Sequence, residues 1–251
     1  MASPSALASG SGGAGVGAVG KPKSAAKTQA TVRSTPSATV SSGNIMVSAS
    51  ADGIDVSSRA SGFLRGKVTF TGTVSGAHAG DIVEIERLGH QTEWGWAATA
   101  HATVGGDGTW KVTWRANHIG QFEFRAVLES RVGAPAKETS PAITVTVYRY
   151  ALATQEGGPA VNGHKTACGQ TFRPSIIGTA NRTLPCGEKV ALYYHGRTLV
   201  VPVIDRGPYA HGADFDISIA AAKKLGLDGI STIGAVSLPA APSSVVDSRR
   251  R

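Results

Sequence analysis

The sequence TLVVPVIDRGPYAHGADFDISIAAAKKLG, residues 198–226, decides the fold of the second half of this 251-residue chain. Its apolar run Leu199–Ile204, interrupted by Pro202, predicts a buried strand. The strand ends in Asp205, directly before the turn sequence Arg206-Gly207-Pro208-Tyr209. A carboxylate at the end of a buried strand and beside a Gly-Pro turn is held rigidly, so Asp205 is a candidate functional group.

The remainder of this stretch predicts a short amphipathic helix from about Ser218 to Leu225. Gly226 favours the left-handed conformation that ends a helix. Either Asp216 or Ser218 could cap the first turn, because both side chains accept hydrogen bonds from free backbone N–H groups. Whether Asp216 serves the helix or a functional site therefore stays open at this point.

Further short strands separated by Gly-rich loops surround this stretch, between residues 151 and 240. Together with the single helix they predict a small closed β-barrel. The tripeptide His195-Gly196-Arg197 predicts a tight hairpin between two of its strands. The strands are predicted at Ala151–Gln155, Lys189–Tyr194, Thr198–Ile204 and Ser231–Leu238.

Residues 45–150 show the period-two alternation and Gly-rich turns of an antiparallel, immunoglobulin-like β-sandwich. All four tryptophans, Trp94, Trp96, Trp110 and Trp114, lie here. They could form an aromatic platform for sugars, but their spacing on one strand face favours the core. The sandwich is interpreted as a spacer or binding module. Its strands are predicted at Ile82–Arg87, Trp94–Thr103, Thr109–Arg115, Gln121–Leu128 and Ala142–Tyr148.

Both ends of the chain have biased compositions. Residues 1–44 consist mainly of Ala, Gly, Ser, Thr and Pro without an acidic residue, which predicts a disordered tail, and residues 241–251 predict a flexible basic tail. The net charge of +8 suits an anionic partner. Because the basic residues form no clustered stripe and no nucleic-acid-binding motif, nucleic acid is not predicted as a partner. Neither a transmembrane segment nor a signal peptide is visible in the sequence.

The chain has two cysteines, Cys168 and Cys186, both in turn-like contexts. A zinc site would need further ligands beyond the nearby His164, and a catalytic thiol would need a basic partner. The sequence therefore favours a disulfide, worth about 3 kcal/mol in the chain-entropy model, over a metal centre. A disulfide predicts a secreted or cell-wall-associated protein.

Several motifs in residues 163–226 resemble the double-psi β-barrel of the rare lipoprotein A-like (RlpA-like) family, which is distantly related to expansins and barwin. A cysteine-bearing barrel with a sandwich in front resembles the actinobacterial branch of that family. The matching motifs are Thr166-Ala-Cys-Gly169, Ala180-Asn-Arg-Thr-Leu-Pro-Cys-Gly187, Gly196-Arg197, Val203-Ile-Asp-Arg-Gly-Pro-Tyr209 and Phe215-Asp-Ile-Ser218.

The resemblance implies a six-stranded barrel whose groove accepts a glycan strand, and it implies no cofactor and no metal. Members of the family include lytic transglycosylases, which cut peptidoglycan stripped of its stem peptides. The related expansins bind and loosen wall polymers without hydrolysing them. Peptidoglycan or another wall polysaccharide is therefore the expected partner, either as substrate or as ligand.

The resemblance assigns catalytic roles to Asp205, as general acid and base, and to Asp216, which matches the second acid of the expansin groove. From the residues alone, Asp205 could instead cap its turn, and Asp216 could cap the helix. The residues predicted to bind substrate are Thr154, Gln170, Asn181, Arg206 and Tyr209.

Three departures from the family pattern bear on activity. Gln170 and Asn181 stand where active relatives commonly carry Glu and His, and Asn cannot exchange a proton as His does. Gln155-Glu156-Gly157 replaces the usual Trp-Tyr-Gly, so an aromatic wall of the groove is missing. The sequence thus supports two hypotheses: a lytic transglycosylase using Asp205, or a non-catalytic, expansin-like binding module.

Overall fold

A computed structural model of the chain describes residues 38–129, 138–157, 159–210 and 212–240. Within those ranges the fold is all-β, as predicted, with one α-helix, α1 (Ile219–Leu225), and a 3-10 turn at His90–Thr92. No helix in these ranges has the length and apolar character needed to cross a membrane. The strands are β1 (Val40–Ser42), β2 (Met46–Ala51), β3 (Ile54–Arg59), β4 (Ser61–Phe63), β5 (Lys67–Thr73), β6 (Ile82–Leu88), β7 (Ala97–Thr103), β8 (Thr109–Arg115), β9 (Gly120–Glu129), β10 (Glu138–Thr139), β11 (Ile143–Glu156), β12 (Thr179–Ala180), β13 (Lys189–Tyr194), β14 (Arg197–Asp205), β15 (Phe215–Ser218) and β16 (Ser231–Leu238).

Two sheets in the first half of the described chain pack on one hydrophobic core. One sheet has the order β2-β3-β5-β8, and in the other β11, β9, β6 and β7 follow one another. Phe70 of β5 and Phe124 of β9 are fully buried, with ring centroids 4.7 Å apart. Side chains from both sheets therefore fill the core. The immunoglobulin-like type of this sandwich stays a prediction.

The tryptophans divide between the core of the sandwich and its surface. Trp110 and Trp114 are 3% and 6% exposed and lie in the core, so the core interpretation is confirmed for these two. Trp94 and Trp96 are only half-buried. The guanidinium carbon of Arg125 lies 4.1 Å from the ring centre of Trp96, as in a cation–π contact.

The strand predicted at Trp94–Thr103 begins only at Ala97. Glu93 and Trp94 have φ values of 52° and 61°, in the left-handed region that a strand excludes. These two residues instead carry the chain out of the preceding 3-10 turn. The alternation that suggested a longer strand therefore includes a turn.

Strand β11 takes part in both halves of the molecule. Its first part, Ile143–Val147, pairs with β9 of the sandwich, and its second part, Arg149–Ala153, pairs with β16. Around Tyr148 the rings of Phe63 and Tyr193 lie 5.9 and 5.5 Å away, measured between ring centres. The predicted boundary between residues 150 and 151 thus falls inside a continuous strand.

The predicted tails lie largely outside the described residues. Residues 1–37 and 241–251 are among those that the structure does not describe. Within the segment 1–44, β1 pairs antiparallel with β14, with Val40 opposite Leu199.

The second half of the chain closes into a six-stranded barrel. Its strands follow in the order β11, β15, β12, β14, β13 and β16, and β16 pairs with β11 to close the ring. The pairs β11–β15 and β12–β14 are parallel, and the other pairs are antiparallel. Alternate residues of each strand face inward, so Leu199, Val201 and Val203 of β14 are buried with Ile217 of β15. The closed barrel predicted from the sequence is confirmed.

Helix α1 follows β15 without a loop. The side-chain oxygen of Ser218 accepts a hydrogen bond from the Ala221 N–H and so caps the first turn, and Gly226, with φ 81°, ends the last one. Ala222 and Leu225 are fully buried against the barrel core. Because Ser218 provides the cap, the Asp216 carboxylate is not needed for it.

Candidate functional site

Four adjacent barrel strands bring three of the predicted site residues, Thr154, Asp216 and Asp205, into one row. Thr154 of β11 is the Cα partner of Asp216 on β15, Asp216 is the partner of Ala180 on β12, and Ala180 is the partner of Asp205 on β14. The directly paired Thr154 and Asp216 point to the same side of the sheet. The register of β12 against β14 shifts between Thr179 and Ala180, so Asp205 joins the row across an irregularity of the pairing. With strands about 4.8 Å apart, the two aspartates lie roughly 10 Å from each other at Cα. Ala180, which is buried, lies between them in strand order, and we call the surface around this row the groove.

Asp205 is oriented from outside its own strand. Its Oδ1 accepts hydrogen bonds from the Ala167 N–H and from the Arg206 N–H, both at 2.8 Å. Ala167 belongs to the turn Thr166–Gln170, which is closed by a hydrogen bond from the Gly169 N–H to the Thr166 carbonyl at 2.9 Å. The carboxylate is therefore held by a distant turn as well as by its chain neighbour.

Asp216 is oriented by Thr154, whose hydroxyl donates a hydrogen bond to its Oδ1. Thr154 is buried, with 9% of its surface exposed. The Thr179 hydroxyl donates to the Asp216 carbonyl at 2.9 Å and fixes the backbone at the same point. Thr154 and Asp216 thus form a hydrogen-bonded pair in the groove, although they are 62 positions apart in the sequence.

Asn181 organises the loop beside Asp205. Its Oδ1 accepts hydrogen bonds from the Thr183 N–H at 3.0 Å and the Leu184 N–H at 2.9 Å, and its Nδ2 donates to the Asp214 carbonyl at 3.0 Å. The residue is 8% exposed. Both polar atoms of the amide are therefore bonded within the protein.

Arg206 supports the same loop from the other side. Its Nη1 donates to the Leu184 carbonyl at 2.8 Å and to the Asn181 carbonyl at 3.2 Å, and its Nη2 lies 3.2 Å from the Cys186 sulfur. Tyr209, at the end of the turn, is 81% exposed. Gln170 is exposed at the end of the turn that donates to Asp205. Tyr209 and Gln170 thus present side chains to solvent next to the acids.

The predicted disulfide between Cys168 and Cys186 is present. It joins the turn that carries the Ala167 donor to the loop that Arg206 supports. The turn that holds Asp205 and the loop that contacts Arg206 are therefore covalently linked.

Glu156 is a third carboxylate of the groove, and the sequence interpretation missed it. Burial raises the pKa of its carboxyl group, and the negative charges of Asp216 and then Asp205 raise the pKa further. The missing Trp-Tyr pair at residues 155 and 156 was interpreted as the loss of an aromatic wall. The same departure from the family pattern places an acid, Glu156, on β11. This departure could have identified Glu156 from the sequence.

One cluster of potential metal ligands lies on the sandwich, away from the groove. Ligand atoms of Glu84, His101 and Glu129 all lie within 4.8 Å of one another, and His101 Nε2 is 3.0 Å from Glu84 Oε2. The three residues lie on neighbouring strands β7, β6 and β9. The hydrogen bond between Glu84 and His101 accounts for the proximity of these two residues.

Comparisons with known proteins agree with this geometry. The family model "Lytic transglycolase" matches residues 154–237, which contain the whole row of site residues. The barrel is RlpA-like. The probable endolytic peptidoglycan transglycosylase RlpA of Aquifex aeolicus is 44% identical over 77 residues, which cover 29% of this chain and 34% of that protein.

Two further relatives match the same part of the chain. The protein called probable endolytic peptidoglycan transglycosylase RlpA in Synechocystis is 37% identical over 83 residues, covering 32% of this chain and 26% of that protein. The endolytic peptidoglycan transglycosylase RlpA of Pasteurella multocida is 39% identical over 70 residues, which cover 27% of this chain and 24% of that protein. The match to the RlpA-like barrel therefore spans about a quarter to a third of each of these relatives.

Proposed function

We propose that this protein acts on the glycan strands of peptidoglycan as a lytic transglycosylase, with Asp205 as the carboxylate that transfers protons. The observation that carries this proposal is the row of paired residues Thr154, Asp216, Ala180 and Asp205 within an RlpA-like barrel. The relatives with this barrel are named as endolytic peptidoglycan transglycosylases. A role at the cell wall and secretion belong to the same proposal.

The chemistry needs an acid for the leaving group and a base for the attacking group. In lytic transglycosylation the 6-hydroxyl of the muramyl sugar attacks its own C1, so no protein nucleophile is required. A carboxyl group held at one place can donate a proton and later take one up. Asp205 satisfies the geometric requirement, because two N–H donors fix its Oδ1 and leave Oδ2 for the substrate.

The other predicted site residues divide between substrate binding and positioning. Tyr209 presents an exposed ring on which a sugar can stack, and Gln170 presents an exposed amide for hydrogen bonds. Thr154 positions the Asp216 carboxylate. Arg206 and Asn181 both bond to Leu184 and so hold the loop beside Asp205. We assign the sandwich, residues 45–150, to a spacing or binding role in front of the barrel, residues 151–240.

A second function, non-catalytic binding of wall glycan, is favoured by one observation. Both polar atoms of the Asn181 amide are hydrogen-bonded within the protein, and neither Asn181 nor Gln170 offers a proton-exchanging group. An expansin-like module would use the same groove and the same exposed Tyr209. The two functions differ only in whether the glycosidic bond is cut.

The deciding experiment incubates the full chain with denuded glycan strands and identifies products by mass spectrometry. A transglycosylase releases products that end in anhydromuramic acid, and Asp205→Asn abolishes them. Asp228→Asn, an exposed aspartate of the barrel, is the matched control and retains them. If the chain is pulled down by intact sacculi but releases no anhydro product, it is a binding module and the enzymatic proposal is wrong.

A further inference from the structure

Three carboxylates share the groove, but the described residues provide hydrogen-bond donors to only two of them. Asp205 accepts from two backbone N–H groups, and Asp216 accepts from the Thr154 hydroxyl. Within the ranges that the structure describes, the Glu156 carboxyl group has no hydrogen-bond donor and no cation in a salt bridge. Donors stabilise the ionised form of a carboxylate, so Glu156 is the member of the cluster that retains a proton most easily.

The register of β11 places Glu156 beside Asp216. Glu156 is the Cα partner of Ser218 in the parallel pair β11–β15, two residues beyond the pair Thr154–Asp216. Residues two apart on a strand face the same side, so Glu156 shares the side of the Thr154 hydroxyl. The Ser218 hydroxyl cannot serve Glu156 as a donor, because it donates to the Ile176 carbonyl at 2.7 Å.

A cavity of about 290 Å³ opens next to this position. Gly157, which follows Glu156, lines it together with Ser218, its strand partner. Phe172 and Ile219 provide apolar walls. A volume of this size is near the lower limit of small-ligand sites.

The charges around Glu156 oppose its ionisation. Asp216 faces it from β15 and Asp205 from β14, and both negative charges add to the effect of burial in raising its pKa. Arg173 lies on the wall of the neighbouring cavity, and α1 contributes the apolar Ile219. Asp205 accepts two backbone hydrogen bonds and Glu156 accepts none from the described residues, and a general acid and a general base usually differ in their surroundings in this way.

We propose that Glu156 is the general acid of the reaction and that Asp205 is its general base. This inference rests on the proposed lytic transglycosylase function and divides the two roles given to Asp205 there. It also accounts for the absence of proton-exchanging groups at Gln170 and Asn181, because β11 supplies one at a different place in the groove.

The step balances with these two residues. The Glu156 carboxyl proton passes to the glycosidic oxygen, and the bond from that oxygen to C1 of the muramyl sugar breaks. The oxygen of the 6-hydroxyl group of the same sugar bonds to C1, and its proton passes to Asp205. Glu156 is then ionised and Asp205 protonated, and exchange with water restores the starting state.

The test compares Glu156→Gln with Asp205→Asn in the full chain on two substrates. On denuded glycan strands, Glu156→Gln is expected to reduce the rate by about 10²–10⁴-fold, the usual contribution of a general acid. On a muramyl glycoside with a nitrophenolate leaving group, which needs no protonation, Glu156→Gln is expected to lose less than about tenfold, whereas Asp205→Asn loses activity on both. Glu138→Gln, on the surface of the sandwich, is the matched control and leaves both rates unchanged.

Two further measurements separate an acid from a merely structural residue. The wild-type rate on glycan strands is expected to fall as pH rises through the raised pKa of Glu156, and this fall is absent from Glu156→Gln. By carboxyl-carbon NMR of glutamate-labelled protein, Glu156 is expected to titrate above the ordinary glutamate value, and its pKa is expected to fall in Asp216→Asn because one negative charge is removed.

The outcomes distinguish this inference from the proposed function. If the wild type cleaves strands but Glu156→Gln is equally active, or loses the same factor on both substrates, the assignment of Glu156 is wrong and the transglycosylase function stands. A Glu156 that titrates at the ordinary glutamate value contradicts the assignment as well. If the wild type releases no anhydro product, the function itself fails and the catalytic role of Glu156 fails with it.

Discussion

Removing the disulfide is predicted to have two separate effects: a loss of stability of the fold and a disturbance of the groove in the folded protein. Replacement of both Cys168 and Cys186 by Ser leaves no cysteine in the chain. The bridge closes a loop with a sequence separation of 18 residues. In the chain-entropy model, a loop of this length lowers the entropy of the unfolded chain enough to contribute about 3 kcal/mol.

This magnitude is large compared with the stability of a typical domain. A loss of about 3 kcal/mol lowers the ratio of folded to unfolded protein by roughly a hundredfold. The disulfide also fixes the turn whose Ala167 N–H donates to Asp205 at 2.8 Å. We therefore expect the double variant to cleave glycan more slowly even at a temperature where it is fully folded.

Urea unfolding followed by circular dichroism measures the first effect, and glycan cleavage at a temperature well below the transition measures the second. Reducing agent should lower the stability of the wild type to that of the double variant and leave the variant unchanged. A loss of stability below about 1 kcal/mol would refute the loop-entropy argument. Unchanged cleavage by the folded variant would show that the turn holds its position without the bridge.

Three other changes test the core, the groove acid and the exposed ring. Phe124→Ala removes a fully buried ring 4.7 Å from Phe70 and should lower the free energy of unfolding by about 3–5 kcal/mol in urea; less than about 1 kcal/mol would contradict the core assignment. Because the pKa of Glu156 is raised in the fold, the free energy of unfolding of the wild type should fall as pH rises from the ordinary glutamate pKa through the raised one. Urea unfolding at pH 4 and pH 8 should show no such fall for Glu156→Gln, and an equal fall in both proteins would contradict the raised pKa. Tyr209→Ala should change stability by less than about 0.5 kcal/mol, since the residue is 81% exposed, yet weaken sacculus binding in a sedimentation assay, whereas unchanged binding would exclude a stacking role.

Much of the barrel could be predicted from local sequence. The apolar run ending in Asp205, the Gly-Pro turn and the capped helix with Gly226 at its end all follow from short-range rules, and the structure has them where the pattern placed them. The disulfide followed from the number and context of the cysteines. Local chemistry alone could not decide between Asp216 and Ser218 as the helix cap.

The groove itself depends on pairings between distant parts of the chain. Strand β11 lies parallel to β15, and this register brings Thr154 and Glu156 to Asp216. No local pattern specifies such a register, because it follows from closure of the six-stranded ring. The turn at Trp94 was missed for a local reason instead, because the alternation of residue types conceals its left-handed backbone.

The sequence by itself determined the all-β class, the RlpA-like barrel, the disulfide and the position of Asp205 at a strand end. Each of these depends on residues that are neighbours in the chain or on a short motif. Only the tertiary structure decided that Ser218 caps the helix, that Asp216 is held by Thr154, and that Glu156 shares the groove with both aspartates. The physical reason is that protonation and orientation of an acid depend on charges, donors and burial contributed by strands far apart in sequence.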